Sequence, residues 1–349
     1  MSFILSSPTL WGQFYYPIQQ DAVDFQKRTL LVQLLEEDEK IVKKLKSKKG
    51  NSSDNAEKLL AQYKQLIDQH NEWIKSAVSK YWKANKAGIQ FKTQDEIEKI
   101  LKDVKVLRQY AVLNIGWRNE YHFKDNVAQP EELYALVAYV AEATDRKVMD
   151  LKRTANQKTD YIFKVAFPTD AINLSDYILA VQQFNFHITN AANEGPTLER
   201  YRTLGAIPPF NKLGYTIIKQ KMMLFPENII EPEKKDELKL AYEYPFELAG
   251  IKMIEESVEH QFARHVYVNM LWSDRLNDFA YFVVNASEGI ILAELGRKPK
   301  ELEFVHHSLK KEVAEPDKLD PIFSNVYYKT NIKFSMDNAV QLQHLLGPK

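Results

Sequence analysis

Apolar residues recur at helical spacing along the first part of the chain, and this pattern predicts a helical protein. Leu31, Leu34, Leu35, Ile41, Val42 and Leu45 follow one another in helical register with acidic residues opposite, which predicts a helix over 21–47. The polar stretch SKKGNSSDN interrupts it, and Asp54 can cap a second helix running to about Ala84. Leu59, Tyr63, Leu66, His70, Trp73, Ala77 and Tyr81 alternate steps of three and four there, as in a coiled-coil seam. Two such helices joined by a polar tip predict an antiparallel hairpin over 21–84.

The pattern continues in the same sense. Thr93 and Glu96 form a capping box for a helix through Ile97, Ile100, Leu101, Val104, Leu107 and Ala111, with a loop at Gly116 and Trp117. Pro130, followed by Glu131 and Glu132, suits the first turn of a helix along Leu133, Leu136, Val137, Val140, Val148 and Leu151. Near residue 158 the period changes, because Tyr161, Phe163, Val165 and Phe167 alternate as in a strand. Ser175 can cap a short helix through Tyr177, Leu179 and Val181, and residues 184–188 read as strand or helix. Gly195, Pro196, Pro208 and Pro209 mark 189–214 as a long loop of the kind that makes contacts. Residues 215–225 fit strand or helix, and Pro226 to Pro232 is the best internal hinge.

Residues 246–296 are the longest strongly apolar passage. Ile251, Ile254, Val258, Phe262, Val266 and Met270 form a helical stripe, so this reads as a packed core helix. In that helix Phe262→Ala is expected to cost about 3–5 kcal/mol. Ser273 can start a further helix, and Gly296 closes the passage SEGIILAELG. Residues after Pro299 read as a short helix, YYKTNIKF as an edge strand, and Asp337 as the cap of a helix bearing Val340, Leu342 and Leu345. The expected fold class is mainly α: a multi-helix bundle-like body with an N-terminal antiparallel helical hairpin and a minor β-containing lobe. The expected divisions are an aromatic arm over 1–20, a helical region over 21–157 and an α-rich region with a few strands over 158–349.

Composition narrows the chemistry. With 47 basic and 47 acidic residues the formal charge is zero, so net charge does not support a nucleic-acid partner and gives little repulsion against self-association. The absence of cysteine removes disulfides, thiolate metal sites and cysteine nucleophiles. No signal-like or membrane-spanning stretch is read, so the expected place is cytoplasmic or intracellular, with no membrane partner. The Asn-x-Ser sequons at Asn51, Asn173 and Asn285 are then chance matches. No GxGxxG, GxxxxGK[ST], HExxH, GxSxG or DxDxDG sequence occurs, and 11 glycines leave little backbone for wrapping phosphates.

Two clusters carry candidate chemistry. Glu256, His260 and Arg264 stand four apart on one expected helix face, a spacing that suits acid–base work or a shared metal. No second Glu-x-x-His pair accompanies them; His265, His306 and His307 diverge, and a solvated charge network is the simpler reading. Arg118, Glu120 and His122 crowd an expected surface loop. Lys43, Lys44, Lys46, Lys48 and Lys49 follow four acidic residues and read as a solvated tip, while His70 reads as a packed, hydrogen-bonded core residue. Phe3, Trp11, Phe14, Tyr15 and Tyr16 make an apolar arm that suits an interface. The expectation is a non-enzymatic structural protein without metal or cofactor. It would self-assemble through that arm and the 189–214 loop, as a viral capsid or shell subunit does. The alternatives are a helical binding or effector module using the 21–84 hairpin, and an enzyme built on Glu256, His260 and Arg264.

Overall fold

The residues TLLVQL, expected inside the first long helix, form a strand, β1 (Thr29–Leu34). Leu30, Leu31 and Val32 are fully buried, so the run shows no alternation, as a strand covered on both faces requires. The computed structural model describes residues 19–47, 53–103, 105–124, 127–140, 162–168, 172–194, 212–230, 234–273, 278–296 and 334–349. The expected arm with Phe3, Trp11, Phe14, Tyr15 and Tyr16 lies outside them, as do 195–211, His306, His307 and all of the expected strand at YYKTNIKF but its last residue, Phe334.

The fold is α/β rather than mainly α, with two five-stranded mixed sheets. Helix α1 (Gln19–Lys27) leads into β1; then come α2 (Glu39–Ser47), α3 (Ser53–Tyr81), β2 (Ile89–Thr93) and α4 (Gln94–Leu101). Strands β3 (Tyr110–Lys124), β4 (Val127–Val140) and β5 (Phe163–Phe167) follow, and α5 (Leu174–Glu194) ends the first half. The second half contains α6 (Lys212–Lys219), β6 (Met222–Pro226), α7 (Lys235–Ala241), β7 (Phe246–Ala249) and α8 (Ile251–Glu259). It ends with β8 (His265–Ser273), β9 (Asp278–Asn285), β10 (Ile291–Leu295) and α9 (Met336–Leu346).

The two halves repeat one plan. The first sheet has the order β2-β1-β3-β4-β5, with β1 parallel to β2 and β3 and an antiparallel meander from β3 to β5. The second has β7-β6-β8-β9-β10, with β6 parallel to β7 and β8 and a meander from β8 to β10. In each, the fourth strand alone opposes the rest. A helix precedes the first strand (α1, α6), another joins the second to the third (α4, α8), and a third follows the fifth (α5, α9). The halves differ at the first crossover, where α2 and the 29-residue α3 stand against α7 with its seven residues.

Each misread element has a physical reason. The 21–84 hairpin is replaced by α1, β1, the short α2 and α3; only the second arm is one long helix. The helix expected from Pro130 is β4, where Pro130 lies outside the stretch paired with β5, so its missing N–H breaks no bond to that neighbour. Gly116 and Trp117 lie within β3. The expected core helix over 251–270 stops at Glu259, and Val266 and Met270 belong to β8. Residues 278–285 and 291–295 are strands as well. The capping box at Thr93 and Glu96 is present, but its helix ends at Leu101 instead of running on through Leu107 and Ala111, which fall in a 3-10 turn and in β3. The terminal helix is capped by Ser335, with Asp337 in its first turn. Residues 184–188 belong to α5, and 215–225 divides into α6 and β6.

Side chains on the two faces of each sheet enter different cores. Val266, Val268, Met270 and Trp272 join one cluster with Ile218, Leu238 and Leu342, while Tyr267 and Leu271 join the other. Leu30 and Val32 likewise part from Leu31. The first core contains α5, whose residues Tyr177–Val181 are all fully buried, which requires a helix apolar on every side. Phe184 meets Trp82 and Phe163, with ring centroids 5.7 and 5.2 Å away. Gln183 of the same helix donates from Nε2 to the Gly289 carbonyl, so α5 of the first half is tied to the β9–β10 turn of the second.

At that turn only glycine fits. Gly289 has φ +69°, and a Cβ there would stand 2.2 Å from Gln182 Oε1 and 2.7 Å from Gln182 Cβ. Gly289→Ala is therefore expected to destabilise the protein by about 2 kcal/mol, read from urea unfolding midpoints.

Candidate functional site

A cavity of about 160 Å³ opens where the start of α5 meets the second sheet. Asn173, Ser175 and Asp176 come from the first half; Asn228, Ile254, Tyr267, Asn269 and Met270 come from the second. The chain runs from β6 to β7 on one side and returns as β8 on the other. The cavity lies beside the carboxyl end of β6, the crevice where open α/β sheets bind ligands.

The start of α5 is held by its own side chains. Asn173 Oδ1 accepts from the Ser175 and Asp176 amides at 2.9 and 3.3 Å, and Asp176 Oδ2 accepts from the Asn173 amide at 3.0 Å. This reciprocal cap replaces the one expected at Ser175, whose hydroxyl donates to Asn173 Oδ1 at 2.6 Å. The Leu174 amide donates to Glu255 Oε1 at 3.3 Å, which brings a carboxylate of α8 to the same helix end.

Asp176 is the unusual group. Burial pushes its pKa up to about 6, against hydrogen bonds that lower it from Asn269 Nδ2, at 2.9 Å, and from the Asn173 amide. The nearby Glu255 charge raises it further. Glu255 is itself raised, first by burial. Tyr267, 1 % exposed, has a hydroxyl with no hydrogen-bond partner among the described residues, and burial beside Asp176 keeps it protonated. An unpaired buried hydroxyl costs about 1–3 kcal/mol. Tyr267→Phe is accordingly expected to raise stability by about 1 kcal/mol in the absence of any ligand, measured by urea unfolding.

The expected site residues lie elsewhere. Glu256, His260 and Arg264 are all exposed, and no hydrogen bond or ion pair joins their side chains among the described residues. The His260 amide bonds the Glu256 carbonyl at 2.9 Å as the end of α8, and its ring stacks on Phe262. Arg118, Glu120 and His122 occupy alternate positions of β3 rather than a loop. Lys43 pairs with Glu39 at 3.4 Å on the surface of α2. His70 is buried and shares a 2.9 Å hydrogen bond with the Tyr177 hydroxyl. No group of three or more His, Asp or Glu that could hold a metal ion occurs among the described residues. Among them, too, no helix is long and apolar enough to cross a membrane.

Asp176, Tyr267 and Asn269 are not among the site residues expected from the sequence. Asp176 has a local signal, the carboxylate three residues after Asn173 at the head of an apolar run. Tyr267 and Asn269 have none, because the apolar spacing of β8 fits a helix as well as a strand. Comparison with protein families, with curated proteins and with solved structures finds no match for this chain.

Proposed function

We propose that the chain is a non-catalytic binding protein that holds a small molecule at the junction of its two repeated halves. The cavity between the start of α5 and β8 carries this reading, because it combines a buried carboxyl, an unpaired tyrosine hydroxyl and isoleucine walls. Asp176 has the protonation range of an acid–base group, but Ser175, the one serine or threonine among the described lining residues, is engaged with Asn173, and burial holds the Tyr267 hydroxyl protonated. Binding is the simpler use of such a site. The test is a fragment screen on the full chain with methyl-labelled Ile and Met observed by NMR. Shifts concentrated at Ile172, Ile229, Ile254 and Met270 are expected, and a screen in which those methyls never move would overturn the reading.

Self-assembly is the second reading, and one feature favours it. β1 pairs with β3 only from Tyr110 to Leu113, and β5 pairs with β4 only from Tyr134 to Ala138. From Arg118↔Leu133 to Lys124↔Val127 the two strands pair only with each other among the described residues. A two-stranded ribbon is marginal in water, and its edges template pairing with another chain. Native mass spectrometry at micromolar concentration is expected to show oligomers, and monomer alone would refute this second reading.

A further inference from the structure

The walls of the cavity also indicate the charge of what it holds. Among the described residues no lysine or arginine lines it, and the one ionisable carboxyl they place there, on Asp176, sits within the influence of a second on Glu255. The first amides of α5, which otherwise attract anions, are occupied by Glu255 and Asn173. An anionic ligand therefore meets carboxylate charge and no free donor at that helix end. A cation is favoured, since a buried carboxylate gains most from an opposite charge brought into contact.

The remaining surface decides between a metal ion and an organic cation. Phe167, Ile172, Ile229, Ile254 and Met270 give the cavity a largely apolar lining, which a hydrated metal ion cannot use. An apolar cavity of about 150 Å³ accommodates one benzene ring, close to the volume here. We propose that the cavity takes a small organic ammonium ion, its nitrogen on the Asp176 carboxylate and its carbon skeleton against Ile172, Ile229, Ile254 and Met270. The Tyr267 hydroxyl, protonated and unpaired, supplies a further polar contact at the same end. This assignment rests on the binding reading above and goes beyond it by naming the ligand class.

The experiment compares benzylamine, benzyl alcohol and benzoate by calorimetric titration of the full chain at pH 7. Isoleucine and methionine methyl shifts locate the site. Benzylamine is expected to bind about tenfold more tightly than benzyl alcohol, as a charge-assisted hydrogen bond predicts, and benzoate not at all. Asp176→Asn is expected to weaken benzylamine by about tenfold; its folding is checked by circular dichroism. The comparison of the three compounds on the unaltered chain decides the matter if that variant does not fold. Benzyl alcohol or benzoate binding as tightly as benzylamine, with the cavity methyls shifting, overturns the ammonium assignment and leaves the binding reading intact. No binding by any of the three overturns the ammonium assignment, and the broader fragment screen then decides the binding reading separately.

Discussion

Phe184→Ala is expected to destabilise the protein by about 4 kcal/mol, among the most damaging single truncations in α5. Phe184 is fully buried, and its ring lies between Trp82, just beyond α3, and Phe163 of β5. Alanine would leave a void bounded by three elements that cannot all close on it, since Phe163 also stacks on His187 with ring centroids 4.5 Å apart. The same substitution at Phe262 is expected to cost less than about 1 kcal/mol, because an exposed surface residue away from special features rarely exceeds that. Phe262 is 38 % exposed in the turn between α8 and β8, not on a core helix face. Urea unfolding of the two variants side by side is the measurement. Equal losses, or a larger loss at Phe262, would show that α5 is not the element on which the two halves are built.

That contrast shows where the sequence could be read and where it could not. Helix α3 was legible because it is long and half-exposed: Tyr63, Ile74, Ala77 and Tyr81 are buried while Lys64, Gln65 and Lys75 face water. Helix α4 was legible through its cap. Strand β5 was legible through the alternation of Phe163, Val165 and Phe167; the central strands were not, because neighbours cover both of their faces and alternation disappears. In β8 every residue but Asn269 is buried, so Val266 and Met270 satisfy a helical spacing as readily as an extended one. Short apolar runs of this kind are ambiguous without their partners, and the partners are distant in sequence.

The repeat had a faint trace in the sequence. Thr29 is registered with Tyr110 in the first sheet, and Met222 with His265 in the second, so YAVLNI of β3 and HVYVNM of β8 occupy matching places. Asn114 and Asn269 then coincide. Asn114 is buried and donates to the Gln33 side chain within its own half. Asn269 donates instead to Asp176 of the other half. One position of the repeated strand thus closes a polar pair internally in the first copy and reaches across the junction in the second. The candidate site depends on that divergence, which is visible only once the strands are aligned through their registers.

Two buried histidines opposed by one aspartate are expected to contribute about 3 kcal/mol of destabilisation on acidification from pH 7 to 4.5. Burial lowers the His70 pKa to about 4 and that of His187 to about 3. In the unfolded chain both take up protons near 6.5, so unfolding binds protons below that pH. Their contribution is complete above pH 6.5 and is lost as the pH falls. Asp176 acts in the opposite sense: folded, it holds its proton up to about pH 6, against an ordinary value of 3.8, so acidification through that window favours the folded state. Two losses against one gain leave a net slope of about 1.4 kcal/mol per pH unit below pH 6. Removing the aspartate's titration by Asp176→Asn leaves the histidines unopposed, and the loss from pH 7 to 4.5 is expected to grow to about 5 kcal/mol. Urea midpoints taken at half-unit pH intervals for both proteins measure the difference. Parallel profiles would mean that Asp176 titrates as an ordinary carboxylate, and a flat profile in the unaltered protein would mean that the two imidazoles are not held neutral inside it.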